Sequence, residues 1–517
     1  MRQGLQFFVS ILLARLLSPE DFGLLAMLYV FTGIAGLFID SGFSSSLIQQ
    51  QHITLEDEST VFFFNLGTGL IVALGLCSAA PWIAFFFEQP ALQGLTYLMA
   101  LNLFIGAFGA IQSTLMNKNL DFKTPMKIGA VASLVSGVLA VCLAWQGYGI
   151  WSLALQSLAS TTVTIAMLWF LNPWRPSWTF SFGSLRSLFR VGSFLLLSSL
   201  LDTIYNRLYS VLIGKLFSVR DLGFYTRASG TQQLPTGVLT AVLNRVAFPI
   251  FAAASADKAL LARGVRKALL SIMLLNIPAM LGMAVVAEPL VVTLFGEKWL
   301  PSVPILKVLC LSGVLWPLHV INLNVLIAQG HSNLFFRIEI IKKIVGVSAI
   351  IFASAYGLMA IAWSQLAVSV VCFLINAHYT GVLINYSAWH QTLDLIPYLI
   401  VGVSMSLVVI PIELYTTFSP QVKLTLMSVS GAIFYWLACR VLRLAAFEMF
   451  SVLGTQWAGS RFNLFFPYAK AMLFIVLTVW IWMAIWQLSS LGIFEEYWQL
   501  LTRLTFAIQN LLYTILQ

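Results

Sequence analysis

Apolar runs that approach the roughly 20 residues needed to cross a lipid bilayer recur along the whole chain. Of its 517 residues, 60% are hydrophobic and only 9% are charged, whereas a soluble domain carries about 25% charged residues. A soluble core could not bury so many apolar runs. The sequence therefore predicts an all-α polytopic membrane protein. The apolar spans, up to 16 in number, are expected at residues 3–17, 22–48, 60–87, 95–115, 127–146, 149–172, 189–213, 222–253, 268–295, 303–328, 343–356, 358–384, 394–413, 422–442, 468–490 and 499–516.

Basic residues in the connections between spans predict how the chain is oriented. If the N-terminus lies in the cytoplasm, most of the excess Lys and Arg falls in cytoplasmic connections, as the positive-inside rule requires. The connection Gln49–Ser59 disagrees because it carries Glu56, Asp57 and Glu58, but acidic residues contribute little to this rule. The net charge of +9 therefore reflects topology and does not indicate a nucleic-acid partner.

Two segments spaced 200 positions apart share a pattern of identical and similar residues. Ala14–Met27 reads ARLLSPEDFGLLAM, and Gly214–Arg227 reads GKLFSVRDLGFYTR. An even number of spans separates the copies, so both point the same way across the membrane. We therefore expect two parallel repeats, an architecture common in transporters whose site lies between the halves. The identical positions are Leu16, Ser18, Asp21 and Gly23 in the first copy and Leu216, Ser218, Asp221 and Gly223 in the second.

The repeated motif has the features of a helix start. Ser18 is a good N-cap, and Asp21 can reach back to the backbone N–H of that cap. Gly23 lies on the first helical turn, where the missing side chain lets another helix approach closely. The second copy repeats this pattern with Ser218, Asp221 and Gly223. We interpret these residues as a structural motif of a tight turn, in preference to a ligand site.

The same residues carry a family resemblance. The run RQGLQFFVSILLARLLSPEDFGLLAM and the later run DTIYNRLYSVLIGKLFSVRDLGFYTRA resemble polysaccharide repeat-unit flippases, the Wzx-type branch of the multidrug/oligosaccharidyl-lipid/polysaccharide exporter superfamily. The likeness extends over residues 1–440. It implies about 14 transmembrane helices, arranged as two six-helix lobes and an extra pair around a central cavity open alternately to each side.

This resemblance also implies a function. The protein would be a flippase and not an enzyme, with no cofactor and no metal. It would move lipid-linked (polyprenyl-pyrophosphate) oligosaccharide repeat units to the outer leaflet of the bacterial inner membrane for surface polysaccharide or lipopolysaccharide biosynthesis. Its partners would be that substrate, the lipid bilayer, and a polysaccharide polymerase with its assembly proteins.

Comparison of the two halves predicts the domain boundaries. The second copy has a long apolar lead, Val191–Leu201, whose counterpart in the first copy would precede Met1. We therefore expect the first helix to be clipped by a late start of the chain. The expected divisions are an N-terminal lobe at 1–172, a cytoplasmic inter-lobe linker at 173–188, a C-terminal lobe at 189–384, an extra helix pair at 394–443, and an extension at 444–517 with a further span and an amphipathic helix.

Charged residues inside membrane spans are costly, which makes them functional candidates. A cavity lined with Arg and amide groups could replace the water around an anionic pyrophosphate headgroup, because the Arg fork matches phosphate oxygens bidentately. The substrate-binding candidates are Asp40, Asn206, Arg207, Arg227, Gln232, Gln233, Asn244 and Arg245. Further amides that could contact sugars are Asn65, Asn102, Gln112, Asn276, Asn322 and Asn324.

Two other functions stay open. A cation-coupled multidrug exporter of the same superfamily is disfavoured by the Arg-rich second half, because cationic drugs require carboxylates. A polytopic polysaccharide polymerase or ligase is disfavoured because every predicted outer connection is short. The driving force is either the membrane potential or an ion antiport that uses Asp40. His319 and His378 lie singly in spans, and we interpret them as ordinary polar residues.

Overall fold

A computed structural model describes residues 2–40, 42–50 and 53–450. All regular elements in these ranges are helices, so the prediction of an all-α fold is confirmed. The helices group into two compact units. Of the described residues, those within 2–228, 294–305 and 347–361 form unit 1, and those within 229–293, 306–346 and 362–450 form unit 2.

Nine of the described α-helices lie wholly within unit 1, and a tenth begins there. Their bounds are α1 Arg2–Leu16, α2 Pro19–Asp40, α3 Phe43–Gln49, α4 Leu55–Phe87, α5 Ala91–Ala107, α6 Ala110–Lys118, α7 Lys123–Trp145, α8 Ile150–Leu171, α9 Phe182–Leu216 and α10 Val219–Val242.

Unit 2 is formed mainly by the later helices. A π-helical turn, Leu243–Ala247, joins α10 to α11, and a short 3₁₀ turn, Glu297–Trp299, belongs to unit 1. The bounds are α11 Phe248–Ala253, α12 Lys258–Val285, α13 Ala287–Phe295, α14 Ser302–Ala328, α15 Ser332–Ser354, α16 Leu358–Ile384, α17 Ala388–Tyr415 and α18 Pro420–Val441.

Most of these helices are long and apolar enough to cross a bilayer. Within the described ranges, ten helical stretches qualify, one of which is Val219–Ala253, made of α10, the π-helical turn and α11. The bent pair of α5 and α6 makes an eleventh, and α9 and α15 are not among them. The total of 14 membrane helices remains a prediction. The spans expected at 468–490 and 499–516, and with them most of the extension at 444–517, lie outside the described residues.

Several expected spans are interrupted. In the region expected to be one span at 22–48, α2 ends at Asp40 and α3 begins at Phe43. Gly42 between them has a left-handed φ of 75°. The span at 95–115 bends by 45° between α5 and α6. The span at 222–253 contains the π-helical turn, with Pro235 before it and Pro249 after it. Glycine and proline are the usual causes of such breaks, and the hydropathy of a span does not reveal them.

Helix α15 also differs from the expectation. The sequence predicted a short span at 343–356, but α15 begins at Ser332 and ends at Ser354. Lys342, which was assigned to a connection, therefore lies inside the helix. Its side chain is mostly buried, as is that of Ile338 one turn earlier. Frequent charges on this helix lowered its apparent hydropathy and hid its first half.

Close helix packing in each unit depends on glycine. In unit 1, a Cβ on Gly137 of α7 would lie 2.6 Å from a methyl carbon of Val9 on α1. In unit 2, a Cβ on Gly402 of α17 would lie 2.5 Å from a methyl carbon of Ile277 on α12. Small residues at such positions let membrane helices approach closely.

The expected linker is held against the start of α4. The indole N–H of Trp174 donates to Glu58 at 2.5 Å. The Ser177 hydroxyl lies 2.9 Å from that of Ser59. Glu58, whose charge disagreed with the positive-inside pattern, therefore anchors this segment. The lobe boundaries at 173–188 stay a prediction.

Candidate functional site

The two copies of the repeated motif lie directly against each other in unit 1. A Cβ on Gly23 would lie 1.9 Å from the carbonyl oxygen of Val219, and a Cβ on Gly223 would lie 1.9 Å from that of Pro19. Because Pro19 and Val219 occupy the same position in the two copies, the contact is reciprocal. We call this contact, formed by residues 18–24 and 218–224, the crossing. Neither glycine can carry a side chain there without moving the backbone.

Both copies begin their helix with the same capping box. In the first copy, the backbone N–H of Ser18 donates to Asp21 Oδ2 at 2.9 Å, and Asp21 N–H donates to Ser18 Oγ at 3.3 Å. In the second copy, the corresponding distances between Ser218 and Asp221 are 3.3 and 3.0 Å. Two backbone N–H groups at each helix start are thereby satisfied.

Arg227 is enclosed by aromatic rings next to the crossing. Its guanidinium carbon lies 4.3 Å from the ring centroid of Phe22, 4.7 Å from that of Phe295 and 5.1 Å from that of Trp299. Its Nη1 donates to Ser10 Oγ at 2.8 Å. We call the three rings the aromatic cage. Rings in this arrangement stabilise a cation in an apolar interior. The guanidinium of Arg227 therefore packs against side chains of unit 1.

The 3₁₀ turn closes the end of α1. Lys298 Nζ donates to the carbonyls of Arg15 and Leu17 at 2.8 and 2.6 Å. The indole N–H of Trp299 donates to the Ala14 carbonyl at 2.9 Å. These bonds satisfy carbonyls that a helix end leaves without partners. Burial lowers the pKa of Lys298, because desolvation disfavours its charged form.

A hollow of about 530 Å³ lies beside the crossing, lined by residues of unit 1. Two ion pairs line it, Lys215–Glu88 at 2.8 Å and Arg220–Glu20 at 3.3 Å. The hydrogen bond from Lys215 lowers the pKa of Glu88. Because these side chains are largely exposed, each pair adds little stability.

Arg207 lies in a different environment within unit 1. Its guanidinium packs against the backbone of Gly33, where a Cβ would lie 3.3 Å from Nε and 3.4 Å from Nη2. Tyr29, one turn earlier on α2, interacts with Ser157 and with the charge of Arg207. The Asn102 amide donates to Ser157 Oγ at 3.3 Å. We call these five residues the Arg207 site.

The Arg207 site keeps unused polar capacity. Arg207 is only partly buried, and the buried Asn102 Oδ1 has no hydrogen-bond partner. Four helices, α2, α5, α8 and α9, supply its side chains. Such a group can bind an anion through the guanidinium and hydroxyl-bearing ligands through its hydroxyls and amide.

The other candidates of unit 1 are not part of this site. Asp40 lies two turns beyond Gly33 on α2 and accepts hydrogen bonds from the N–H and hydroxyl of Ser44. The Ser44 hydroxyl in turn lies 2.6 Å from that of Thr114. Asp40 therefore supports the break between α2 and α3. Asn206 is exposed.

In unit 2, the remaining candidates line α10 and the π-helical turn. Gln232 lies close to Met280, with its amide nitrogen 3.8 Å from the sulfur, and Gln233 donates to Ser229 Oγ at 3.1 Å. Asn244 accepts from Asn324 at 3.4 Å. Arg245, the next residue, is exposed. A π-helical turn inside a helix frequently marks a functional position.

Sequence reasoning overlooked three members of the Arg207 site, Gly33, Tyr29 and Ser157. None of them carries a charge. Tyr29 lies one helical turn before Gly33, so a small residue and a polar ring share one face of α2. That pairing was the available signal.

Comparisons with solved structures identify the fold. The chain matches the lipid II flippase MurJ, in its inward closed conformation, with a TM-score of 0.70 and 15% identity over 85% of this chain and 97% of MurJ. An inward-facing multidrug resistance MATE family transporter matches with a TM-score of 0.55 and 18% identity, over 75% and 96% of the two chains. The protein is therefore a multi-pass membrane protein with the fold of these transporters.

Sequence comparisons then identify the family. A family model described as "Polysaccharide biosynthesis protein" matches residues 12–304, and the chain belongs to that family. It is 28% identical to the teichuronic acid biosynthesis protein TuaB of Bacillus subtilis, over 78% of this chain and 85% of TuaB. It is 27% identical to the lipopolysaccharide biosynthesis protein WzxC of Escherichia coli, over 67% and 71% of the two chains. The resemblance to Wzx-type flippases is confirmed.

Proposed function

We propose that this protein is a flippase that moves lipid-linked oligosaccharide repeat units from the cytoplasmic to the outer leaflet of a bacterial inner membrane. The family and its relatives in polysaccharide biosynthesis support this activity. The observation that carries it is the Arg207 site, where a guanidinium, two hydroxyls and an amide from four helices converge. The flipped unit would then be available to a polysaccharide polymerase on the outer face.

The chemistry of the Arg207 site suits both parts of such a substrate. A polyprenyl-pyrophosphate headgroup is anionic, and it cannot enter hydrocarbon without partners that replace its water. Arg207 can bind phosphate oxygens through two parallel N–H groups. Tyr29, Ser157 and Asn102 can exchange hydrogen bonds with sugar hydroxyls.

The membrane potential can supply the driving force. With the inside negative, each negative charge that moves outward gains about 2.3 kcal/mol per 100 mV. A doubly charged headgroup would gain roughly 4–5 kcal/mol per 100 mV. Outward movement of the headgroup requires the orientation that we expect from the Lys and Arg residues between the spans, with the N-terminus in the cytoplasm.

A deletion strain with lipid extraction tests the proposal. Loss of the protein should trap the oligosaccharide lipid on the inner leaflet and abolish the surface polymer. Complementation with Arg207→Ala should leave the lipid trapped, whereas Arg263→Ala, which alters an exposed arginine of α12, should restore export. Polymer loss with the lipid already in the outer leaflet would contradict the proposal and favour a polymerase or ligase.

A further inference from the structure

A line of uncharged polar side chains runs between α10 and α14 in unit 2. The indole N–H of Trp316 on α14 donates to Thr240 Oγ1 on α10 at 3.0 Å. Earlier on the same two helices, Gln232 packs against Gly313, where a Cβ would overlap its amide nitrogen. Both helices belong to stretches long and apolar enough to cross a bilayer, where polar groups are costly and mark functional positions. We call this group, together with two residues of α12, the polar seam; its members are Gln232, Thr240, Asn276, Met280, Gly313 and Trp316.

A proline in α14 accounts for one part of the polar seam. Pro317 has no N–H, so it cannot donate to the carbonyl of Gly313 four residues earlier. Asn276 of α12 donates to that carbonyl at 3.2 Å and to the carbonyl of Val314 at 3.0 Å. Asn276 is fully buried, and its Oδ1 accepts no hydrogen bond from the described residues. One end of this amide therefore compensates for the proline, and the other end keeps unused capacity.

The side-chain amide of Gln232 keeps more unused capacity. A glutamine amide can donate two hydrogen bonds and accept two. Among the described residues, the one hydrogen-bond contact of this amide joins Nε2 to the sulfur of Met280 at 3.8 Å, and a thioether is a weak acceptor. A single amide in a span usually bonds a neighbouring helix, as Asn276 does. Gln232 does not follow that pattern, so bonding between helices does not account for an amide at this position.

The glycine of the polar seam keeps room for this amide. A side chain at position 313 would overlap the amide nitrogen of Gln232, and its Cβ would lie 2.6 Å from Met280 Sδ. Trp316 follows Gly313 by about one helical turn, so both lie on one face of α14. Trp316 is 50% exposed, and Thr240 fixes its indole N–H. The seam thus combines apolar and aromatic surface with a few placed polar groups, which is typical of ligand sites.

The chemistry of the polar seam favours a neutral ligand with hydroxyl groups. None of its six residues carries a charge, so it offers no counter-charge to a phosphate. An amide can donate to one hydroxyl and accept from another. The apolar body of a tryptophan ring can cover the C–H face of a sugar ring. The guanidinium that an anionic headgroup requires is present in the Arg207 site and absent from the seam.

We propose that the polar seam is a sugar subsite that sets the preference of this protein for the glycan of its lipid-linked substrate; this rests on the proposed function. Gln232 is the specificity-determining residue, because its amide exchanges hydrogen bonds with sugar hydroxyls. Gly313 is a positioning residue that leaves space for that amide. Arg207 binds the diphosphate, which every such lipid carries, whereas the seam distinguishes their sugars.

Binding of two lipids to the purified full-length protein in detergent tests the subsite. One probe is the oligosaccharide lipid extracted from the deletion strain, and the other is the same polyprenyl diphosphate without sugars. The wild type should bind the oligosaccharide lipid roughly tenfold more tightly, as expected for about two neutral hydrogen bonds. Gln232→Met, which keeps a side chain of similar length but loses the amide, should bind the two lipids nearly alike. Gln421→Met, at an exposed amide of α18, should keep the wild-type preference.

A second variant separates sugar recognition from folding. Gly313→Ala displaces the Gln232 amide, which is the end of a flexible side chain, so this variant should keep a melting temperature near that of the wild type and still lose the preference. If the wild type binds both lipids equally, or if Gln232→Met keeps the full preference, the subsite is wrong. Equal weakening of both lipids with a lower melting temperature would show a structural role and also overturn it. Arg207→Ala should weaken both lipids alike. If the wild type binds neither lipid, the proposed function itself fails.

Discussion

Arg227 and Arg207 look alike in the sequence but occupy opposite environments in unit 1. Both lie in spans near the second copy of the motif, and both were expected to bind substrate. Arg227 has three aromatic rings within 5.1 Å and a hydrogen bond to Ser10. Arg207 packs against the backbone of Gly33. The Tyr29 and Ser157 hydroxyls and the Asn102 amide complete its site. The first arginine completes a packed core, and the second keeps capacity for a ligand.

This difference shows that a charge within a span is a poor guide to function by itself. The neighbours decide its role. Three rings pack around the guanidinium of Arg227, whereas the Arg207 site keeps a buried acceptor without a hydrogen-bond partner, Asn102 Oδ1. Stability should therefore depend on the region of the aromatic cage and the crossing, and transport should depend on the Arg207 site.

The largest effect should follow from Gly223→Leu. The side chain would begin 1.9 Å from the Pro19 carbonyl oxygen, so the crossing cannot form and little folded protein should accumulate. Gly230→Leu, on the same helix where nothing lies within 4 Å of a Cβ, is the matched control. Membrane yield and gel-filtration profiles measure the outcome. Normal yield of Gly223→Leu would mean that the crossing is not required for the fold.

Arg207→Ala should slow transport strongly but leave the fold intact. Loss of a charge-assisted contact costs about 2 kcal/mol, which corresponds to a rate about thirtyfold lower. The measurement is the rate of lipid flipping per folded molecule, together with the melting temperature in detergent. Arg207→Lys, which keeps the charge but loses the planar fork, should fall between the wild type and Arg207→Ala. Full activity of Arg207→Ala would refute the assignment.

Arg227→Ala should do the reverse. It empties the aromatic cage and removes its cation–π contacts, so stability should fall by about 2–4 kcal/mol. Transport per folded molecule should stay near the wild-type value. Thermal unfolding and the flipping rate, measured on the same preparation, check both statements. If transport is lost while the melting temperature is unchanged, Arg227 is a ligand-binding residue and the contrast between the two arginines disappears.

Lys298→Met should have a smaller effect on the same region. It keeps the apolar stem but removes two hydrogen bonds to the end of α1, which lowers stability by about 1 kcal/mol. The Trp299 bond to Ala14 remains. A melting temperature equal to that of the wild type would show that the two Lys298 hydrogen bonds do not stabilise the end of α1.

The smallest effect should come from Lys215→Met, which removes the exposed pair with Glu88. Lys215 lowers the pKa of Glu88 in the folded protein. The contribution of the pair is therefore present above the ordinary Glu pKa of about 4.3 and is lost as the pH falls through the lowered value. Thermal unfolding at pH 7 and pH 3 should show a slight difference between variant and wild type only at pH 7. A difference of equal size at both values would contradict this.

The sequence was sufficient for the fold class, the family and the motif, because hydropathy, repetition and capping are local properties. Ser18 and Asp21 contact each other within one helical turn, so their spacing was enough. The breaks near Asp40 and Leu243 were not predictable from apolar content. They depend on glycine, proline and the neighbouring helices.

The candidate sites were predictable only in part. Arg207 could be named from its position in a span, but its partners Tyr29 and Ser157 lie on other helices and have no charge to reveal them. His319, which we interpret as an ordinary polar residue, lies 3.0 Å from Ser369 Oγ, a neighbour that is distant in the chain. Lys342 was assigned to a connection because the start of α15 was hidden. Long-range contacts decide each of these roles.

The 3₁₀ turn at Glu297–Trp299 has a consequence for biogenesis. Its hydrogen bonds to α1 join residues 281–285 positions apart. The ribosome synthesises α1 long before it reaches Trp299. Until then, the carbonyls at the end of α1 lack the hydrogen bonds that Lys298 and Trp299 donate. Synthesis must therefore proceed past the middle of the chain before the end of α1 acquires these hydrogen-bond partners. A nascent chain arrested before residue 294 would present the end of α1 without them to the quality-control proteases of the membrane.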